Sequence, residues 1–196
     1  METDNISDRI AYIGLGANLG KRRETCLAAL ALLDGEPSCR VMRRSGWHET
    51  EPVGMESSNL FINAVAELRT SLPADDLMAL LLKIEKQLGR RRSHGVTDRT
   101  VDLDLLYVQG VVTGYPDGFM CMASQGVASG RPDKNKGLVV PHPAIPQRRF
   151  VLEPWAELVP DLVVEPWGKS VKDMLSALGP DDQAGDSCPS RGVLEK

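Results

Sequence analysis

In the first half of the chain, segments whose hydrophobic residues recur every second position alternate with segments where they recur every three or four positions. Four segments show the period of two that is typical of half-buried β-strands. These segments are residues 9–15, 39–47, 60–68 and 97–108. A loop containing Pro52 and Gly54 is predicted between the second and third strands, at residues 48–59. In the other two gaps the apolar residues recur every three or four positions, which indicates helices.

The two predicted helices complete a regular order of elements. The first follows the small-residue turn at 16–20 and ends near Leu33. The second begins after Pro73 and ends at Gly89. Its apolar stripe consists of Leu77, Leu80, Leu81, Ile84 and Leu88. The order is therefore β-α-β-β-α-β, which predicts an α+β, ferredoxin-like sheet with these two helices on one face.

The second half of the chain is less regular. A stretch rich in Gly, Ser, Asp and Lys predicts a loop insertion at about residues 111–137. Ser170 caps a last helix at residues 171–178, which could cover the second face and complete an α/β/α sandwich. Residues 181–196 have no apolar period and are predicted to be a disordered tail. We therefore expect a single domain over residues 1–180.

Composition narrows the class of protein. The 196 residues include 23 Lys+Arg and 27 Asp+Glu, a net charge of -4 that argues against a general nucleic-acid binder. The four cysteines form no C-x-x-C pair, which indicates a reducing compartment and neither a disulfide framework nor a zinc site. Because the apolar stretches are too short to cross a bilayer, we expect a cytoplasmic protein with no membrane partner, and a monomer.

The strand predicted at residues 97–108 carries the most informative polar pattern. Asp102 and Asp104 leave one face of that strand, with Cα atoms roughly 6.5 Å apart. Carboxylates at this separation repel each other, and a divalent cation removes the repulsion. The cationic residues just upstream are Arg90, Arg91, Arg92, His94 and Arg99. Carboxylates for a metal beside guanidiniums for phosphates predict a magnesium–nucleotide site. The alternative is an edge strand with solvated aspartates and surface arginines.

Further segments hold residues that packing alone does not explain. They are G-A-N-L-G at 16–20, E-T-E-P-V-G at 49–54, N-L-F-I-N-A-V at 59–65, V-P-H-P at 140–143 and R-R-F at 148–150. Together with R-x-x-D-L-D-L-L at 99–106, they resemble the 6-hydroxymethyl-7,8-dihydropterin pyrophosphokinases of folate biosynthesis. The resemblance covers roughly residues 10–108 and 138–178. It implies transfer of a pyrophosphoryl group from ATP to the hydroxymethyl oxygen of the pterin, with release of AMP.

The resemblance also implies a role for each matching residue. Asp102 and Asp104 would hold two Mg²⁺ ions, with Arg90 and Arg99 as catalytic cations beside them. The positions that match ATP contacts are Glu85, Arg92, Arg99, His142 and Arg148. The positions that match pterin contacts are Thr50, Val53, Phe61, Asn63 and Phe150. Phenylalanines can sandwich a flat ring and an amide can bond its edge, although core packing is an alternative for both phenylalanines.

The chain departs from the family pattern in two places. Residues 94–98 read H-G-V-T-D where an Arg-Trp-Gly-Pro or similar element is usual, and the loop at 111–137 is longer than the usual hairpin. The first departure, the altered loop at residues 93–98, keeps an alternative open, a non-catalytic ferredoxin-like nucleotide-binding or interaction module. Retention of the two aspartates and the arginines favours the enzyme, because a module with no phosphates to hold would gain nothing from them.

Overall fold

The computed structural model describes residues 8–53, 57–90, 98–115 and 137–179. The strands are β1 (Arg9–Ala17), β2 (Cys39–Arg44), β3 (His48–Thr50), β4 (Phe61–Thr70), β5 (Asp102–Val108), β6 (Val163–Val164) and β7 (Lys169–Ser170). The helices are α1 (Arg22–Asp34), α2 (Ala74–Gln87), α3 (Arg149–Leu158) and α4 (Val171–Ala177), with a 3₁₀ turn (Ile145–Gln147) before α3.

The long strands form one antiparallel sheet. Its order is β2-β4-β1-β5, and the short strand β3 also pairs with β4. β6 and β7 form a separate two-stranded hairpin. The ferredoxin-like α+β arrangement predicted from the hydrophobic periods is therefore confirmed, with β5 at one edge of the sheet.

The chain after β2 differs from the strand and loop predicted there. The predicted strand at 39–47 ends at Arg44, because the Ser45 hydroxyl, and no backbone carbonyl, accepts the Val65 N–H (3.0 Å). The chain then resumes pairing as β3, inside the stretch that was predicted to be a loop. This pairing places Thr50 opposite Phe61, which is the start of the site described below.

The strand predicted at 97–108 begins only at Asp102. The segment before it bonds to the loop between β1 and α1 instead of to a neighbouring strand. The Arg99 N–H donates to the Asn18 side-chain oxygen (2.7 Å), and the Arg99 carbonyl accepts the Asn18 N–H (3.1 Å). These two hydrogen bonds to Asn18 therefore take the place of the strand pairing predicted for the start of this segment.

One face of the sheet is covered by α1 and α2. Their fully buried or nearly buried side chains include Leu30, Leu33, Leu77, Leu81 and Ile84. These pack against Ile13, Leu15, Ala64, Leu68 and Leu103 from the strands. The predicted stripe of α2 thus faces the core, although Leu80 and Leu88 are only half-buried.

The second face is covered by α3 and α4. Its core contains Tyr12, Val65, Leu106, Leu152, Trp155 and Met174. The predicted last helix is confirmed at Val171–Ala177, where the Ser170 hydroxyl accepts the Asp173 N–H (3.2 Å). The helix α3 was not predicted, because Pro154 lies inside it and proline removes a helical hydrogen bond. Burial of its apolar side, above all Trp155, offsets that loss.

A β-bulge in β5 places two consecutive residues, Leu106 and Tyr107, on the same face. Tyr12 pairs with Tyr107 but Ile13 pairs with Leu105, so Leu106 is an extra residue in β5. Leu105 joins the core under α1 and α2, whereas Leu106 joins the core under α3 and α4. Before the bulge the alternation is regular, and the aspartates of β5 share the α3–α4 face with Leu106.

Predictions about the insertion and the tail fall mainly outside the described residues. The tail at 181–196 lies wholly outside them, and so do residues 116–136 of the insertion. The two ends of the insertion are joined, because Thr113 and Val140 exchange backbone hydrogen bonds of 2.8 and 3.2 Å. In the part of the chain that the structure describes, no helix is both long and apolar enough to cross a membrane.

Trp155→Ala is expected to destabilise the fold strongly. The side chain is 0% exposed, and its ring centroid lies 5.4 Å from that of Tyr12 and 6.3 Å from that of Tyr107. Removal of such a ring should lower the free energy of unfolding by about 3–5 kcal/mol, measured by urea denaturation. Leu27→Ala, at a helix position 48% exposed, is the control and should change it by less than about 0.5 kcal/mol. A similar small change for both variants would contradict the second core.

Candidate active site

The floor of the site is formed by two glycines of β1, Gly14 and Gly16, which we call the glycine strip. The Asn63 amide lies on one side of it and the carboxylates of Asp102 and Asp104 lie on the other. The strand register places Asn63, Gly16 and Asp102 side by side across β4, β1 and β5, and Gly14 beside Asp104. A Cβ atom at Gly16 would lie 3.4 Å from Asn63 Oδ1 and 3.8 Å from Asp102 Cβ. Because the central strand carries glycines at these two positions, the space above the sheet stays open between the polar groups.

Asp102 is held by two arginines. Arg90 Nη1 donates to Asp102 Oδ1, and Arg99 Nη1 donates to Asp102 Oδ2. The three side chains are between 17% and 19% exposed, so they are shielded from water without being fully buried. Both oxygens of Asp102 therefore have a cationic donor. The phosphate contacts expected of Arg90 and Arg99 stay a prediction.

Glu85 connects this pair to the sheet. Its side chain is 2% exposed, and Glu85 Oε1 accepts both the Arg90 guanidinium and the Leu103 N–H (2.8 Å). β5 is an edge strand, so this backbone donor has no strand neighbour and needs a side-chain acceptor. Glu85 thus fixes Arg90 beside the acid pair. A direct contact between Glu85 and ATP stays a prediction.

The second carboxylate has its own cation and a neighbouring histidine. Arg148 Nη1 lies 3.2 Å from Asp104 Oδ2. The His142 N–H donates to the Leu106 carbonyl (2.8 Å), which extends the edge of β5, and His142 Nδ1 accepts the Ala144 N–H (3.2 Å). Burial lowers the pKa of His142, and the nearby Arg148 acts in the same direction, although Asp104 opposes it. The neutral ring that results carries its proton on Nε2, as a donor.

The residues predicted to bind the pterin gather at the other end of the strip. The buried Asn63 donates through Nδ2 to Thr50 Oγ1 (2.8 Å), a contact made possible by β3. Phe61 lies two residues from Asn63 on the same face of β4, and the Arg99 guanidinium carbon is 5.8 Å from its ring centroid. Arg99 therefore contacts both ends of the site: Asp102 at the end with the carboxylates and arginines, and Phe61 at the end with the aromatic ring and Asn63. We call the first end the phosphate half, after its predicted ligand, and the second the pterin half.

Phe150 makes the equivalent contact on the α3 side. Its ring centroid is 5.7 Å from the Arg148 guanidinium carbon, and the ring also packs partly against the second core. Val53 is half-buried at the end of a described segment, beside residues 54–56 that lie outside it. Arg92 lies outside the described residues, as do the neighbouring Arg91 and His94.

Several site residues were missed by sequence reasoning. The glycines at 14 and 16 had a signal, because they repeat with the same period of two as the aspartates that they face. Asn18 lies in the G-A-N-L-G segment singled out from the sequence, but nothing in the sequence connected it with Asp98. Asn18 Nδ2 donates to Asp98 Oδ1 (2.6 Å), a contact between residues 80 positions apart.

A metal at this site would have to come with a nucleotide. Within the described ranges no group of three or more His, Cys, Asp or Glu side chains could hold a metal ion. Mg²⁺ commonly uses one or two carboxylates and completes its shell with substrate phosphates and water. Asp102 and Asp104 suit this pattern, since they share one face, border the open glycine strip and are flanked by guanidiniums.

Fold and site together define a ferredoxin-like α+β protein in which two carboxylates on one sheet face are paired with arginines. Residues 12–160 match the family model described as 7,8-dihydro-6-hydroxymethylpterin-pyrophosphokinase (HPPK). A 2-amino-4-hydroxy-6-hydroxymethyldihydropteridine pyrophosphokinase of Bacillus subtilis is 35% identical over 151 residues, which are 77% of this chain and 78% of the relative. One of Methylorubrum extorquens is 32% identical over 154 residues, 79% and 85% of the two chains. The chain therefore belongs to the HPPK family.

Solved structures support the fold. A crystal structure of HPPK-DHPS in complex with substrates superposes with a TM-score of 0.60 over 86% of this chain, at 14% sequence identity. A wild-type Plasmodium falciparum HPPK-DHPS superposes with a TM-score of 0.61 over 87% of this chain, at 12% identity. This chain spans 43% and 44% of the length of those two chains.

Glu85→Leu is expected to destabilise the chain more than Glu85→Gln. Leucine leaves the Leu103 N–H without an acceptor in a buried position, which should cost about 1–3 kcal/mol in the free energy of unfolding. Glutamine keeps an acceptor for that N–H and loses only the charge beside Arg90. Urea denaturation measures both variants. Glu36→Gln, at a side chain 40% exposed, is the control and is expected within about 0.5 kcal/mol of wild type. Equal stability of the Leu and Gln variants would contradict the capping role of Glu85.

Proposed function

We propose that the chain transfers the pyrophosphoryl group of ATP to the hydroxymethyl group of 6-hydroxymethyl-7,8-dihydropterin and releases AMP, as a step of folate biosynthesis. The observation that carries this proposal is the placement of Asp102 and Asp104 on one sheet face with Arg90, Arg99 and Arg148 on their oxygens. Relatives that share about a third of their residues with this chain are named for the same activity.

We further propose that Asp102 and Asp104 hold two Mg²⁺ ions together with the phosphates of ATP. When bound, Mg²⁺ would neutralise phosphate charge and orient the attacking hydroxyl against the β-phosphorus. Because Arg90 and Arg99 bond both oxygens of Asp102, they must turn toward the phosphates when the metal takes their place. The same guanidiniums thus protect the acid pair and then serve the triphosphate.

The chemistry asks the protein for position and charge more than for covalent participation. A bond forms between the hydroxymethyl oxygen and the β-phosphorus, and the bond from that phosphorus to the oxygen bridging to the α-phosphorus breaks. AMP leaves with that oxygen, and the hydroxyl proton is released to water. Arg90, whose guanidinium also bonds Glu85, and Arg99, whose backbone N–H bonds Asn18, are kept beside the site and would turn to the phosphates where negative charge would develop. His142, with its proton on Nε2, and Arg148 are the donors proposed for the rest of the nucleotide, together with Arg92.

The pterin is proposed to lie over the glycine strip at the Asn63 end. Because Asn63 Nδ2 bonds Thr50, its Oδ1 is oriented toward the strip and can accept from the edge of the ring. Phe61 and Phe150 would stack on the ring, at about 1 kcal/mol each beyond burial. Val53 is proposed to line the same pocket through its backbone.

The alternative, a non-catalytic nucleotide-binding or interaction module, is not favoured. Its only support was the altered loop at residues 93–98, of which only Asp98 is described. The acid pair, its three arginines and the Thr50–Asn63 pair are all in place. The monomeric state and the cytoplasmic location stay predictions.

The proposal is tested with ATP, Mg²⁺ and 6-hydroxymethyl-7,8-dihydropterin, followed by chromatography of the nucleotides. AMP, and not ADP, should form in step with loss of the pterin. Asp102→Asn and Asp104→Asn should each slow AMP release by about 100-fold or more, with a wild-type melting curve, because they remove metal ligands and no core contact. Asp161→Asn is the control: its carboxylate is 78% exposed, pairs with Lys172 and should leave the rate unchanged. ADP as the product, or no AMP from folded wild-type protein, would contradict the proposal.

A further inference from the structure

A third aspartate, Asp98, joins three loops at the border of the site. Its Oδ1 accepts Asn18 Nδ2 at 2.6 Å, and its Oδ2 accepts Asn59 Nδ2 at 2.9 Å. Asn18 belongs to the loop after β1, Asn59 to the loop before β4, and Asp98 to the segment before β5. We call these three residues the loop clasp. One carboxylate thus links three segments that are far apart in the sequence.

The clasp helps to hold the Asn18 amide in place. Asn18 is buried, and its Oδ1 accepts the Arg99 N–H at 2.7 Å while its Nδ2 is bound to Asp98. The Arg99 N–H selects the oxygen of this amide and the Asp98 carboxylate selects its nitrogen, so the two bonds together hold the side chain in one place. The Arg99 guanidinium bonds Asp102. The hydrogen bond from Asn18 to the Arg99 backbone therefore helps to place a cation that lies beside Asp102.

The other arm of the clasp reaches the pterin half. Asn59 lies two residues before Phe61, and the Asn59 N–H donates to Ser57 Oγ at 3.1 Å. The Ser57 hydroxyl and the Asn18 and Asn59 amides hydrogen-bond Asp98, and these bonds lower the pKa of its carboxyl. An ionised Asp98 therefore fixes the segment that leads into Phe61, through Asn59, and the backbone of Arg99, through Asn18.

We propose that Asp98 is a positioning residue that sets the phosphate half and the pterin half of the site relative to each other through the loop clasp. The inference rests on the proposed function. Its partners are loop side chains and none belongs to either hydrophobic core, so its effect falls on geometry and not on global stability. Small displacements of groups that hold reacting atoms reduce turnover far more than folding.

Asp98→Ala should lower kcat by about tenfold to a hundredfold, with KM for either substrate changed less than about threefold. The melting temperature should stay within about 2 °C of wild type, as for a surface substitution. Asp161→Ala removes an exposed carboxylate far from the clasp and is the matched control. A wild-type kcat for Asp98→Ala would overturn the proposal, and so would a loss of kcat in proportion to a loss of stability.

An exchange of acid and amide provides a rescue test. Asn59→Asp alone places a second carboxylate against Asp98, at the 2.9 Å contact, and should also lower kcat by about tenfold. Asp98→Asn combined with Asn59→Asp restores a donor and an acceptor at that contact and keeps an oxygen for Asn18. The double variant should recover kcat to within about threefold of wild type. Failure of the exchange to recover activity would contradict the clasp.

Hydrogen exchange at the Arg99 amide tests the clasp without substrates. Exchange should be about tenfold faster in Asp98→Ala than in wild type, because the Asn18 side chain has lost one of the two bonds that hold it, and slow again in the acid–amide exchange. Unchanged exchange would overturn the clasp whatever the activity. Faster exchange in the variant together with no AMP from wild-type protein would instead support the clasp and contradict the pyrophosphokinase proposal.

Discussion

Two carboxylates on one face of an edge strand repel each other, and the site is built around the compensation of that repulsion. Asp102 receives Arg90 and Arg99, and Asp104 receives Arg148, so each negative charge faces at least one guanidinium. The side chains of these pairs are 17% to 34% exposed, so water stays close enough to screen them when one partner is lost. The arrangement is therefore suited to a ligand that brings both cations and anions, because metal and phosphates can exchange partners with carboxylates and arginines together.

The sheet supplies the geometry for this arrangement at several levels. Glycines on the central strand keep the strip between Asn63 and the aspartates open. The regular alternation of β5 before its bulge sends Leu103 and Leu105 into the core under α1 and α2 and keeps the aspartates on the site face. Glu85 binds at the edge of β5 that has no neighbouring strand. One of its carboxylate oxygens accepts both the Leu103 N–H and the Arg90 guanidinium. Stability and site geometry thus depend on the same contacts.

Sequence reasoning reached the parts that follow local periods. The shared face of Asp102 and Asp104 follows from the period of two, and the core-facing stripe of α2 from the helical period. It did not reach α3, where Pro154 hides a helix that is stabilised by burial of Trp155. Glu85 lies beside the buried stripe of α2, and its acceptor role depends on a backbone donor 18 residues away. The loop clasp joins residues 80 and 39 positions apart, which no local pattern records.

The central claim is that Asp102 and Asp104 hold the metals of a metal–nucleotide complex. Binding of Mn²⁺ in place of Mg²⁺, counted by electron paramagnetic resonance with a non-hydrolysable ATP analogue and the pterin, tests it most directly. The account predicts two bound Mn²⁺ per wild-type chain and fewer in Asp104→Asn, with the Asp161→Asn control at two. Two bound ions in the double variant Asp102→Asn/Asp104→Asn would show that the metals are held elsewhere and would contradict the account.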